Sequence, residues 1–541
     1  MNQNFTSDPS SLFSESADLS EVCFPSVHRV WNTELSGDFS LPDYQPEIKR
    51  LLRITTQVSS PEHYISGDSM DLDGTLDYFV LYMGNDNRLY CAPLSSDYHL
   101  TLSLSDARET AFFGLNTASG HQICTFDLCA DTVTGRVTAP RRLNLKCKLR
   151  SGVRIYESAD QSADFSHIGD EGSVEQLTET TDYCHLQRMM GDPLPLQDDM
   201  LLDRDGSANT RVICAEGKVM VQEAISGQNT VTCRGDVYLK LTTVAENTAD
   251  DSLAPTVTLR KLPFSQVIEV PGVTPDWRSC ASGICSDLSV ETEDGHLHTE
   301  LRIVLEVLSQ KNQKVSYVKD LYSIKKSTNC TYTSYPIQRA LDCFNGNFTF
   351  SDTLALSDVG IPASAKILDV TGTVYPDTLT ADPERERCIL AGRCRFHILM
   401  QKEGEYAFTE VELPFRYEKE TALDTNAVQG AEIPHDGQAQ AIICRARMDG
   451  ERLGLDAEIS VALRTMAEAS LTAVSAVDEG ADITRGRGEY VICFPAADDS
   501  LWSVAKRYHA PMAALSAANG ISPSESPQAP ETLNGIRYLI V

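Results

Sequence analysis

Leu72-Asp73-Gly74-Thr75-Leu76-Asp77-Tyr78-Phe79-Val80-Leu81 decides the fold, because this stretch occurs three times in the chain. It returns as Cys233-Arg234-Gly235-Asp236-Val237-Tyr238-Leu239-Lys240-Leu241, and again as Leu390-Ala391-Gly392-Arg393-Cys394-Arg395-Phe396-His397-Ile398-Leu399. In each copy a glycine leads into alternating apolar and polar side chains, the period-two pattern of a half-buried strand. The three glycines lie 161 and 157 positions apart. Val58, Val219 and Val374 repeat at 161 and 155, and Cys129, Cys285 and Cys444 at 156 and 159. Gly37, Gly191 and Gly346 open the three units, preceded by Arg29, Arg188 and Arg339. Several anchors at nearly one spacing point to a triplicated domain.

The pattern inside a unit is β. Alternation continues in His298-Thr-Glu-Leu-Arg-Ile-Val-Leu-Glu-Val307 and in Glu458-Ile-Ser-Val-Ala-Leu463, with hairpin-like breaks at Gly84-Asn-Asp-Asn-Arg88 and Glu403-Gly-Glu405. Long helical periodicity is hard to find before residue 495. The expected architecture is therefore mainly β, with three tandem sandwich- or barrel-like repeats at 24–165, 183–330 and 335–482 after a flexible N-terminus at 1–23. Polar linkers are expected at Gly169–Ser173, at Asp478–Asp482 and at Arg485–Gly488.

Composition narrows the partners. The 541 residues hold 46 Lys and Arg against 77 Asp and Glu, a net charge of −31. A polyanion repels nucleic acid and anionic lipid, so no nucleic-acid partner is expected. No basic and then apolar leader opens the chain, and no run approaches the roughly 20 apolar residues of a membrane helix. The expected address is the cytosol, not a membrane, and the sequons at Asn4, Asn329 and Asn347 are then chance matches. The 16 cysteines show no CxxC pair, and most sit in apolar strand-like runs such as Val212-Ile-Cys214 and Ala441-Ile-Ile-Cys444. In a reducing compartment these are small buried hydrophobes.

The lead into the first unit, Glu34-Leu-Ser-Gly-Asp-Phe-Ser-Leu-Pro42-Asp43-Tyr-Gln-Pro46-Glu47-Ile48, resembles the opening of the SPOCS domain of clostridial spore-coat proteins. Leu262 to Gly272 and Leu413-Pro-Phe415 resemble that family's recurring strand starts, and the resemblance spans most of residues 30–480. Pro42 and Pro46 are expected to hold this lead-in extended.

From Glu489 the pattern changes. A short strand at Tyr490-Val-Ile-Cys-Phe494 precedes Asp498-Asp499-Ser500-Leu501-Trp502-Ser-Val-Ala-Lys-Arg-Tyr508. Asp499 or Ser500 suits an N-cap, and Leu501, Val504, Ala505 and Tyr508 fall at helical spacing. A second helix follows from Pro511 through Met512, Leu515 and Ala518 to Asn519-Gly520 as C-cap, and Gly535-Ile-Arg-Tyr-Leu-Ile-Val541 closes with a strand. This βααβ unit at 486–541, a small α+β module, resembles a LysM module. The resemblance implies binding of N-acetylglucosamine polymers between two loops, here Asp498 to Leu501 and Asn519 to Ser522. Asp498 replaces the usual Gly, Asn534-Gly535 the closing Pro-Gly, and the loop Ile521–Thr532 is long, with Pro523, Pro527 and Pro530. Trp502 reads as module core rather than as a sugar platform. From Glu489 on there are five acidic and three basic side chains, so most of the acidity belongs to the repeats.

No phosphate loop, dinucleotide fingerprint, HExxH or GxSxG is present. His296 and His298 alternate on one strand without a third ligand, and Asp198-Asp199 and Asp250-Asp251 read as turns. Neither a catalytic residue, a cofactor nor a metal is expected. A SPOCS-like triplication with one LysM module resembles spore-coat morphogenetic scaffolds. That resemblance implies a mother-cell cytosolic protein at the forespore surface, docked through LysM on the ATPase-type protein of the coat basement layer. The candidate binding residues are Asp498, Asp499, Ser500, Leu501, Trp502, Asn519, Gly520 and Ile521, with self-association through the repeats. The alternative partner is peptidoglycan or a chitin-like glycan, for example in the spore cortex.

Overall fold

The computed structural model describes residues 16–18, 22–105, 117–159, 173–201, 209–246, 255–293, 295–382, 386–420, 432–484, 491–521, 533 and 535–541. After a short β1 (Ser16–Asp18), the first repeat runs β2 (Cys23–Ser40), β3 (Ile48–Val58), β4 (Glu62–Ser66), β5 (Ser69–Gly84), β6 (Leu89–Ser103), β7 (Thr117–Ala139) and β8 (Arg142–Ala159). The second holds β9 (Val174–Met190), β10 (Leu194–Leu201), β11 (Asn209–Ser226), β12 (Thr230–Glu246), β13 (Thr256–Glu269), β14 (Arg278–Glu293) and β15 (His296–Ser323). The third holds β16 (Lys326–Ala355), β17 (Lys366–Asp382), β18 (Arg387–Lys402), β19 (Glu405–Glu420), β20 (His435–Asp449) and β21 (Arg452–Asp482). The C-terminal module is β22 (Ile492–Cys493), α1 (Leu501–Tyr508), α2 (Met512–Ala518) and β23 (Leu539–Ile540).

Each repeat is built from two antiparallel sheets with one connectivity. In one sheet the last strand pairs with the first and the penultimate, giving β2-β8-β7, β9 and β10 with β15-β14, and β16-β21-β20. The other sheet is β3-β5-β6 with β4, then β11-β12-β13, then β17-β18-β19. The sequence anchors occupy matching places. Val58, Val219 and Val374 pair with Leu76, Val237 and Cys394, each two residues beyond its glycine. The inward faces fill one core per repeat, centred on Leu72, Val80, Leu145 and Ile155, on Val237, Val219, Ile303 and Leu305, and on Leu390, Phe396, Ile459 and Val461. Gly217 and Gly372 let the two sheets close. A Cβ on Gly217 would stand 2.8 Å from Cys285 Sγ, and one on Gly372 2.6 Å from Cys444 Sγ.

The repeats pack against one another. A β-bulge precedes Arg53, Cys214 and Asp369 on the equivalent strands β3, β11 and β17. The bulged residues Leu52, Ile213 and Leu368 meet in one apolar cluster between the repeats. Beside it lies a buried charge network. Arg53 Nη1 donates to Asp369 Oδ2 at 2.7 Å and Nη2 to Glu216 Oε1 at 3.2 Å, while Lys240 Nζ lies 2.5 Å from Asp369 Oδ1. Burial alone would raise the Asp369 pKa, but Lys240 and Arg53 outweigh it and hold the carboxyl at about 2. Repeats 1 and 3 also join where Asp436 accepts from Arg154 and Arg464. Repeats 2 and 3 join where Asn345 clasps the Ala281 backbone at 2.9 and 2.6 Å.

Several expectations are corrected. The boundaries at 183 and 335 fall inside β9 and β16, whose polar outer halves pair with the long strands β15 and β21 instead of ending as linkers. Asp478–Asp482 belongs to β21 for the same reason, and Lys326 pairs with Glu479 there at 2.5 Å. Residues 169–172 and 485–488 of the expected linkers, Asp250-Asp251 and 1–15 with 19–21 of the N-terminus lie outside the described residues. Within that N-terminus, however, Ser16–Asp18 pairs parallel with Lys314–Ser316, and Val22 is fully buried with Phe24, Tyr183, Tyr335 and Leu471. The Pro42–Pro46 lead-in turns instead of running extended, because the Gln45 N–H donates to the Pro42 carbonyl at 3.0 Å. Asp198 and Asp199 lie on a strand, bonded to Arg260 at 2.8 Å and to His298.

Candidate functional site

The C-terminal module folds around a helix with a specified start. Ser500 is the N-cap of α1; its Oγ accepts from the Ser503 N–H at 3.1 Å, and Ser503 Oγ accepts from the Ser500 N–H at 2.9 Å. These reciprocal bonds satisfy two amides that the first turn leaves open. Asp499, 5% exposed, braces the preceding loop by accepting from the Ala496 N–H at 2.9 Å and from the Arg507 guanidinium. The Arg507 hydrogen bond and the Ala496 amide hold the Asp499 carboxyl below the usual carboxylate range. Gly520 takes a φ of +64° just past α2, the left-handed turn that favours glycine. The Asn519 side chain donates to the Leu515 and Ile540 carbonyls at 2.8 Å each and accepts from the Ile540 N–H at 2.7 Å, tying α2 to β23.

The eight candidate residues thus divide. Asp498 and Gly520 are exposed at the two loops. Asn519 and Ile521 are half-buried, with Ile521 packed on the module core. Asp499, Ser500, Leu501 and Trp502 are buried and hold the loop in shape. The loop beyond Ile521 up to Thr532, with its three prolines, lies outside the described residues, as does Asn534.

Trp502 is buried in the module core, and that core extends onto the second repeat. Its indole packs edge-on against Tyr322 of β15 with ring centroids 5.1 Å apart, and its N–H donates to Asp320 Oδ2 at 2.8 Å. Lys506 Nζ reaches Asp320 Oδ1 at 2.5 Å, the Tyr322 hydroxyl donates to the Ala510 carbonyl at 2.7 Å, and the Met512 N–H donates to Glu175 Oε1 at 3.2 Å. Burial works against the Asp320 carboxylate, but hydrogen bonds from Lys506, Trp502 and Tyr332 keep its pKa below the usual value. The core of the module is therefore continuous with Leu177 and Tyr322 of the second repeat. Sequence reasoning missed Asp320 and Tyr322. A bulge between Val318 and Asp320 re-aims these side chains, and a one-residue bulge leaves no mark in the alternation beyond the adjacent Leu321-Tyr322. Trp502, Lys506, Ala510 and Met512 make the contact, which leaves Asp498 and Gly520 open to solvent.

A concavity of about 660 Å³ lies where the three repeats meet, lined by Tyr78, Lys218, Tyr238, Thr371 and Arg395 among others. Most of its charged walls are engaged between or within repeats, as with Lys240 on Asp369 and Arg395 on Glu412 at 3.0 Å. No group of three or more His, Cys, Asp or Glu placed to hold a metal occurs among the described residues. Likewise, no helix among them is long and apolar enough to cross a membrane.

The family model of the LysM domain matches residues 496–533, which covers the first loop, both helices and the segment after α2. Similarity to this family suggests glycan or peptidoglycan binding by the module. No curated protein and no solved structure matches the chain.

Proposed function

We propose that this protein is a non-enzymatic scaffold in which the three β repeats form one body and the LysM module is its recognition head. The carrying observation is the seat of the module, where Asp320 holds both Trp502 and Lys506 while the Asp498 and Gly520 loops face outward. A tethered head with outward loops suits an assembly protein that must present its ligand-binding edge in a set direction. In the finer reading the repeats are of SPOCS type and the protein acts in the mother-cell cytosol. It docks there on the ATPase-type protein of the spore-coat basement layer and guides coat assembly around the forespore. A second reading follows from the LysM match itself: the same edge binds peptidoglycan or a chitin-like N-acetylglucosamine polymer.

The full chain, immobilised, discriminates the two. Lysate of sporulating cells and insoluble peptidoglycan are offered in parallel to the wild type and to Asp498→Arg, an exposed change that leaves the N-cap intact. Retention of one ATPase-type protein by the wild type, lost in the variant, supports the coat reading. Co-sedimentation with peptidoglycan that chitin oligomers compete away, with no protein retained, overturns it in favour of the glycan.

A further inference from the structure

Each repeat contributes cysteines to its own core, but Cys91 and Cys214 meet across two repeats. Cys91 lies on β6 of the first and Cys214 on β11 of the second, and their Sγ atoms are 3.4 Å apart. The backbones on both sides are pinned. The Cys91 carbonyl accepts from Gln45 at 3.3 Å, and the Leu89 carbonyl accepts from Arg211 Nη2 at 3.0 Å, whose guanidinium also covers Tyr90 at 4.6 Å. The pair sits in the apolar cluster of Leu52, Leu81, Leu89, Ile213 and Leu399 that closes the junction of the repeats.

We propose that Cys91 and Cys214 are an oxidation site, at which a peroxide converts the thiol pair into a disulfide that ties the first repeat to the second. A disulfide is about 2.05 Å long, so sulfurs already in van der Waals contact close it by side-chain rotation while the pinned strands stay in place. The step balances in two stages. The Cys91 sulfur attacks one oxygen of hydrogen peroxide, breaks the O–O bond and becomes a sulfenic acid with release of water. The Cys214 sulfur then attacks that sulfenic sulfur, the S–S bond forms, and a second water leaves with the proton of Cys214. The thiols lose two electrons and the peroxide gains them.

Access sets the order of events. Cys91 is half-buried and meets solvent, whereas Cys214 is 7% exposed. The hydrogen bond to Cys91, and burial with it, push the Cys214 thiol well up, so it stays protonated until Cys91 is activated. Cys280 and Cys343 supply an internal contrast. They share a cluster between repeats 2 and 3 but are 1% and 7% exposed, so neither offers peroxide a starting point.

The test uses the reduced full chain. It is titrated with hydrogen peroxide, blocked with an alkylating agent, digested without reductant and examined by mass spectrometry. The expected product is a peptide pair joined through Cys91 and Cys214, two hydrogens lighter than the separate peptides, appearing before any change at Cys280 or Cys343. Oxidation should raise the melting temperature of the wild type by several degrees and leave that of Cys91→Ser unchanged, because the closed loop restrains the unfolded chain. Cys91 running on to sulfinic acid while Cys214 stays a free thiol overturns the proposal. So does a cross-link that forms only in urea. Both readouts on the wild type stand even if the serine variant folds poorly.

Discussion

Asp369→Asn is the substitution that most directly probes how the repeats are held together. The side chain keeps its shape and loses its charge, which leaves Arg53 and Lys240 facing a neutral amide inside a junction where Arg53 is 4% exposed. Breaking a buried pair by neutralising one partner costs about 3–5 kcal/mol, because the other charge stays desolvated. Here Glu216 still accepts from Arg53 at 3.2 Å and the Val370 carbonyl from Lys240 at 3.1 Å, which places the expected loss near the lower bound, about 3 kcal/mol. The assay is hydrogen exchange of β3, β11 and β17, since three packed repeats need not unfold in one step. Exchange at these strands should speed up about 100-fold in the variant, the factor that roughly 3 kcal/mol implies. The linkage to pH has a definite sign. The folded Asp369 pKa of about 2 is below its ordinary 3.8, so its contribution is present above about pH 4 and is lost as pH falls toward 2. That window is worth about 2 kcal/mol, and Asp369→Asn should flatten it. A change under fivefold, or an unaltered acid limb, would show that the network is no stronger than a surface pair and refute the reasoning.

Other outcomes follow from single contacts. Gly372→Ala puts a methyl group 2.6 Å from Cys444 Sγ and should cost about 1–3 kcal/mol in thermal unfolding, with Cys444→Ala restoring most of it. Trp502→Phe keeps the ring against Tyr322 but removes the donor to Asp320; a double-mutant cycle with Asp320→Asn should return a coupling of about 1.5–3 kcal/mol. Asp499→Ala removes the acceptor for the Ala496 amide and Arg507 and should lower the stability of the C-terminal module by about 1 kcal/mol near neutral pH. Because the folded Asp499 carboxyl is held below its ordinary range, that difference should shrink as acid protonates it, which a melting series against pH checks.

Local pattern alone determined that the chain is a triplicated β protein with a βααβ module at its end. Alternation reports which face of a strand is buried, and side-chain oxygens before an apolar helical run report a cap, so both are written in neighbouring residues. Gly74, Gly235 and Gly392 marked equivalent strands because each repeat carries out the same pairing independently of the others. An N-cap at Asp499 or Ser500 and the Gly520 turn were legible for the same reason, and the structure chose Ser500. What the repeats do to one another was not legible. Arg53, Cys214 and Asp369 hold equivalent positions with unrelated chemistry, and only the packed junction turns an arginine and an aspartate 316 residues apart into a pair. Trp502 shows the same limit in the candidate site. Helical spacing placed it inward, but whether inward meant the module's own core or the second repeat depended on a bulge at Lys319 and on Asp320 beyond it. Burial direction is a local property of the sequence, whereas the identity of the buried partner is a property of the tertiary fold.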